Sequence, residues 1–176
     1  MSHSLSFLKQ HLRLGLLTAF LATFFVFASP SDAQAADFEL HGGFGYMGLF
    51  NGPSSHGITV TLSPGLRWGW IGIYLDQNLG GVFHRHHHYS TSTFVGSTIL
   101  NAKFFLDLGP AELWGQAGIG AAYIEDFGAF GLKLGAGVSV PLSSFMSLGL
   151  DLAYTLGANH GTFHLLALSG HIRLRF

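Results

Sequence analysis

The sequence predicts an all-β chain, an eight-stranded antiparallel up-and-down β-barrel that crosses a bilayer. Three observations predict it. The chain is 48% hydrophobic but only 10% charged, against roughly 25% charged in ordinary soluble domains. Beyond the N-terminal segment, no apolar run is long enough for a spanning helix. Apolar and polar residues instead alternate with period two in successive short stretches, as strands with one greasy face do. High hydropathy without a helical span leaves the closed barrel as the other way to satisfy backbone polar groups in lipid.

The first ~35 residues read as a cleaved secretory signal peptide, 1–35, with the barrel in 36–176. Lys9 and Arg13 supply the positive start, and Leu14 to Ala28 is the apolar stretch. Ala33-Gln34-Ala35 follows as an A-x-A pattern, with cleavage expected before Ala36. The chain has no cysteine, which excludes a lipidated N-terminus and structural disulfides. A net charge of −1 without a basic run argues against a nucleic-acid partner.

The strands follow in order. The first, Phe38 to about Phe50, sets Phe38, Leu40, Phe44 and Tyr46 against Glu39, His41, Gly43 and Gly45. After a loop at Asn51–Ser55, the second runs from about Ile58 to Trp68, with Val60, Leu62, Leu66 and Trp68 opposed by Thr59, Thr61, Ser63 and Arg67. A tight turn at Gly69 leads to Ile71, Ile73, Leu75 and Leu79, opposed by Tyr74, Asp76 and Asn78. Phe83 to Thr93 is polar and predicts a loop. Strand four, about Phe94 to Leu106, sets Leu100, Ala102 and Phe104 against Ser97, Asn101 and Lys103. Asp107-Leu108-Gly109-Pro110 is a turn. Strand five sets Leu113, Ala117, Ile119, Ala121 and Tyr123 against Glu112, Trp114, Gln116 and Gly118, with a loop predicted at Glu125–Phe130. Strand six sets Leu132, Leu134, Ala136 and Val138 against Lys133, Gly135 and Gly137, and the chain turns at Pro141–Phe145. Strand seven sets Leu148, Leu150, Leu152 and Tyr154 against Ser147, Asp151 and Thr155. Beyond a loop at Gly157–Gly161, the last strand sets Leu166, Leu168, Ile172, Leu174 and Phe176 against Ala167, Ser169, His171, Arg173 and Arg175.

Charge placement decides which face meets lipid. Glu39, Arg67, Asp76, Lys103, Glu112, Lys133, Asp151, Arg173 and Arg175 all share the parity opposite the large aliphatics. An outward Arg or Lys at mid-bilayer costs about 2–4 kcal/mol. The aliphatic parity is therefore the lipid wall, and a soluble barrel would have too few charges to clothe its outside. Phe38, Trp68, Trp70, Phe104, Phe145 and Phe176 fall near the short turns, and Tyr46, Tyr123 and Tyr154 near the loops, as two interfacial girdles would.

With its export signal, its alternation and its Arg173-Leu174-Arg175-Phe176 ending, the chain resembles the small eight-stranded bacterial outer-membrane barrels, such as OmpX and the membrane part of OmpA. The resemblance implies a porin-like monomer in the outer membrane of a Gram-negative envelope, in contact with outer-membrane lipid and lipopolysaccharide. It also implies that barrel-assembly machinery reads Ile172, Leu174 and Phe176. The family contains structural barrels, adhesins and lipid-modifying enzymes, so it leaves the activity open.

The nine inward charges are candidates for an ion-pair network plugging a lumen only as wide as its side chains. Their alternative is a narrow solute or proton path, to which inward glycines at 43, 45, 118, 120, 135 and 137 would leave volume. The hairpin register places Lys103 between Asp76 and Glu112, and leaves Lys133 without a carboxylate. His84, His86, His87 and His88 on a flexible loop could hold Zn²⁺, Cu²⁺ or Ni²⁺; no other cofactor is implied. A lipid A-modifying enzyme would need histidine, serine and carboxylate at the lipid interface, where His160, His164, Ser90, Ser92 and Tyr154 stand. Neither a His-x-Ser-Asn signature nor a G-x-S-x-G elbow is present, and the expectation is a barrel without catalysis. A structural, envelope-integrity or surface-interaction role remains.

Overall fold

A computed structural model describes residues 35–50, 55–86, 89–125, 127–158 and 162–176. The signal segment up to residue 34 lies outside them. Eight strands form one closed antiparallel barrel in chain order: β1 Asp37–Leu49, β2 Ser55–Trp68, β3 Ile71–His86, β4 Tyr89–Asp107, β5 Glu112–Ile124, β6 Phe127–Pro141, β7 Met146–Ala158 and β8 Thr162–Arg175. The seam runs from Glu39↔Arg175 to Leu49↔Leu165. The Phe38 and Phe176 backbones extend it, each amide donating to the other's carbonyl at 3.2 and 2.9 Å. No sheet edge is left along this seam, as a wall in lipid requires.

Three short connections gather at one end. Gly69 (φ 58°) and Gly109 (φ 85°) take left-handed conformations that a side chain disfavours. The amide of Gly109 donates to Asp107 Oδ1 at 2.7 Å, closing the second turn. At the third, the amides of Leu142 and Ser143 both reach Met146 O.

The opposite end differs from the expected run of modest loops. The polar 83–93 segment is mostly strand: His84↔Thr91, Arg85↔Ser90 and His86↔Tyr89 pair across β3 and β4. Polarity suggested a loop, but Tyr89-Ser90-Thr91-Ser92-Thr93 is rich in residues that suit a strand. Likewise the expected loop at Glu125–Phe130 shrinks to a tight reversal, with Glu125 at φ 51° and Phe127 already in β6. β3 and β4 run to 16 and 19 residues, against 13 in β1, β5 and β7. β2 pairs with β3 only as far as Phe83, and β5 pairs with β4 only as far as Val95. The β3–β4 hairpin therefore stands beyond the rim as a two-stranded ribbon.

The faces fall as the alternation requires. Leu100, Leu134, Leu150, Leu152 and Ile172 are outward and exposed, while Glu39, Asp76, Lys103, Lys133 and Arg173 are inward and buried. Trp70, Phe104, Phe145 and Phe176 ring the short-turn end, and Phe50, Phe83, Phe127 and Phe130 the other.

Candidate functional site

The lumen collects the charged residues of the inward parity. At its short-turn end Glu39, fully buried, accepts from Tyr74 Oη at 2.5 Å and Arg175 Nε at 3.0 Å, with Arg67 Nη1 at 3.6 Å and His41 Nε2 at 3.3 Å. Glu112 is held by Arg67 Nη2 at 2.6 Å and by Arg173. Arg173 also donates to Ser147 Oγ at 3.2 Å. One layer deeper, Asp76 takes Lys133 Nζ at 2.6 Å, Lys103 Nζ at 3.7 Å and the Ser63 hydroxyl. Asp151 accepts from Ser169 Oγ at 2.8 Å and lies 3.3 Å from His171 Nδ1. Each inward carboxylate thus has a basic or imidazole partner, as burial demands.

Rings fill the space between the ions. Arg67 lies 3.9 Å from the Phe105 ring centroid, and Lys103 Nζ sits 4.4 and 4.9 Å from those of Tyr74 and Trp114, within cation–π range. His41 and His171 stack at 5.8 Å. The space left beside His41, Asp76, Lys103, Lys133 and His171 is about 20 Å³, room for a single water. A wider vestibule of about 140 Å³ opens at the short-turn mouth beside Arg173 and Arg175.

Several expectations are corrected here. Lys103 meets Asp76 but not Glu112. The four-residue turn at 108–111 pairs Asp107 with Glu112 and Lys103 with Gln116, which places Glu112 nearer the mouth. Lys133 does have a carboxylate, reaching Asp76 across the lumen from β6 to β3. Gly118 and Gly137 do not leave free volume: a Cβ on Gly118 would fall 2.3 Å from Asn101 Oδ1, and one on Gly137 2.3 Å from the Trp114 ring. Gly118, Gly135 and Gly137 are gaps into which Asn101, Gln116 and Trp114 lean.

The lumen is also not polar throughout. Above a collar in which Thr61 Oγ1 donates to Asn78 Oδ1 at 2.7 Å and Asn78 Nδ2 to Ser97 Oγ at 3.2 Å, the inward parity turns apolar. Met47, Leu49, Val82, Val95, Ala122, Ala129, Phe163 and Leu165 form one buried cluster near the far rim. The signal for it was present: Val82 shares the parity of Asp76, Val95 that of Lys103, and Phe163 and Leu165 that of Arg173.

The remaining candidates are dispersed. His84 and His86 belong to β3, not to a loop, and His87 and His88 lie outside the described residues. No group of three or more metal-ligating side chains occurs among the described residues. Ile172, Leu174 and Phe176 face outward on β8 and at its end, with Phe176 the most exposed. His160 lies outside the described residues; His164 is on the outer wall beside Tyr154.

No family model matches the chain, and no curated protein matches it in sequence. Solved structures do. Neisserial surface protein A, NspA, superimposes with a TM-score of 0.67 at 16% identity, covering 79% of this chain and 97% of that one. Ail, the attachment invasion locus protein of Yersinia pestis, in complex with the heparin analogue sucrose octasulfate, gives 0.51 at 12% identity, covering 80% and 99%. The fold is that of the small outer-membrane barrels. At these identities the likeness extends to the fold alone, and the work of the molecule has to be argued from its own residues.

Proposed function

We infer that the protein is a monomeric outer-membrane barrel with a closed lumen, serving envelope integrity and surface presentation without catalysis. In this reading the short turns face the periplasm and the β3–β4 hairpin faces outward. The observation that carries it is the double filling of the lumen, an ion-paired layer followed by an apolar one. A narrow pore needs a continuous wet path, and neither layer offers one. Planar-bilayer recording of the refolded chain tests this: no unitary conductance is expected, and steady single-channel steps would overturn it.

A second reading, surface interaction, is favoured by the hairpin. It lifts the backbone of Arg85 and of a histidine-, serine- and threonine-rich stretch clear of the rim, and Ail, the attachment invasion locus protein, is a barrel of the same fold in complex with a heparin analogue. Replacing residues 84–91 by a two-residue turn should leave the barrel folded and abolish retention on immobilised heparin. Assembly through Ile172, Leu174 and Phe176 belongs to the same proposal, as does contact with lipopolysaccharide. Lipid A from cells with and without the protein should give identical mass spectra; a shift by an acyl chain would revive the enzyme.

A further inference from the structure

The outer wall carries one arrangement twice. In the first hairpin the Tyr46 hydroxyl meets His56 Nδ1, and in the last the Tyr154 hydroxyl meets His164 Nδ1. Each tyrosine precedes its histidine by 10 residues. The ring centroids stand 5.7 and 5.9 Å apart with tilts of 29° and 31°. All four side chains lie on the lipid-facing parity, and none of them is buried.

Closure of the barrel makes the two pairs neighbours. β7, β8, β1 and β2 are consecutive around the wall, and the registers Tyr154↔Leu166, Leu166↔Gly48 and Gly48↔His56 set Tyr154 and His56 on one row. With strands about 4.8 Å apart, the pairs are separated by roughly 10 Å. Between them lies Phe50, whose amide donates to His164 O at 2.9 Å. A Cβ on Gly48 would come within 3.0 Å of the Phe50 ring, so the glycine lets that ring lie back across the row.

An interfacial tyrosine normally sends its hydroxyl to water or headgroups. Here both phenols turn onto an imidazole instead. A phenol O–H donating to Nδ1 would leave the ring N–H at Nε2, the ring atom remote from the tyrosine. In that arrangement the wall presents two N–H donors beside an aromatic face. We propose that this patch binds the phosphorylated saccharide headgroup of an outer-leaflet lipid, each histidine donating to a phosphate oxygen and Phe50 lying against the sugar ring. Donors to anionic acceptors form the stronger class of hydrogen bond, and an amphipathic sugar suits a ring that is part in lipid. The proposal rests on the outer-membrane reading above.

The test uses the mature chain refolded in maltoside micelles, with affinities read by native mass spectrometry. The probes are bisphosphorylated lipid A, the same lipid dephosphorylated, phosphatidylglycerol and inorganic phosphate. Bisphosphorylated lipid A should bind tighter than the dephosphorylated form by about tenfold or more, the scale of one charge-assisted hydrogen bond. Phosphatidylglycerol and inorganic phosphate should not reproduce that affinity. The preference should vanish in the His56→Leu/His164→Leu variant. It should also weaken in Tyr46→Phe/Tyr154→Phe, which keeps the rings and loses only the orienting bond. Nitrogen-15 spectra of the two imidazoles should report the Nε2–H tautomer in the parent and a mixture in the phenylalanine variant. A phosphate preference that survives loss of both histidines would overturn the site, as would phosphatidylglycerol binding equal to that of lipid A. Insertion of each variant into bilayers, followed by heat-modifiable gel migration, separates the two levels. A chain that inserts without phosphate preference refutes the site alone, and a chain that never inserts refutes the membrane reading beneath it.

Discussion

Near the short turns, the inward parity is filled by ion pairs and the rings between them; near the other rim, by methionine, leucine, valine, alanine and phenylalanine. The barrel is the same eight strands wide in both places, so geometry alone does not select the filling. The halves differ in reach. Long charged side chains cross the lumen and tie strands that are not neighbours, β6 to β3 through Lys133–Asp76 and β8 to β5 through Arg173–Glu112. The apolar side chains only pack against one another and exclude water. One half cross-braces the barrel, while the other seals it.

This contrast predicts different ways of failing. A buried charge that loses its partner is more damaging than a shortened apolar group, because the orphan stays in place without solvent. Asp76→Asn should have the largest effect, since it takes from both Lys103 and Lys133 the carboxylate within ion-pair distance; about 4 kcal/mol is expected from broken buried pairs. Urea unfolding in lipid bilayers reads it. A loss under about 1 kcal/mol would mean that this half is hydrated well enough to screen its charges.

In the sealing half, Phe163→Ala should cost about 3 kcal/mol, the lower end for an aromatic truncated in a core. The two substitutions should also differ in bilayer recordings. Neither alone should conduct, because the other layer remains. Combined, they should give measurable leak. Leak from Phe163→Ala alone would assign the whole seal to the apolar layer and reduce the ion pairs to bracing.

How much of this was legible follows from the same contrast. Period-two alternation fixes which residues face inward, so the fold and the inward set from Glu39 to Arg175 could be read directly. Contacts between adjacent strands depend on turn geometry, and there a four-residue turn at 108–111 was enough to part Lys103 from Glu112. Contacts across the lumen depend on strand tilt and stagger, which hairpin spacing does not encode; Lys133–Asp76 lies beyond such reading. The apolar cap is hidden for another reason. The charges mark only the polar members of the inward parity, while Val82, Val95 and Phe163 share that parity without any charge to mark it. The projecting hairpin is hidden because polar composition reads as a loop, where alternating serine and threonine pair well as strands.

The smallest expected effect is the most discriminating for the bracing half. Lys103 and Lys133 share Asp76, and both are buried. Lys133 makes the closer contact, 2.6 Å, which is a charge-assisted hydrogen bond. Lys103 stays at 3.7 Å from the same carboxylate, outside hydrogen-bond distance, and rests on the rings of Tyr74 and Trp114. A methionine at 103 would keep those ring contacts through its thioether, whereas a methionine at 133 would remove the carboxylate's shortest cationic bond. Lys133→Met should therefore lose about 2 kcal/mol and Lys103→Met about 1 kcal/mol, the first being a charged hydrogen bond and the second a longer Coulombic contact partly offset by retained packing. The double variant should lose more than the sum, because Asp76 would then keep only the Ser63 hydroxyl. Strict additivity would show that each lysine acts through its surroundings and not through the shared carboxylate, and the cross-brace would have to be sought in Arg173–Glu112 instead.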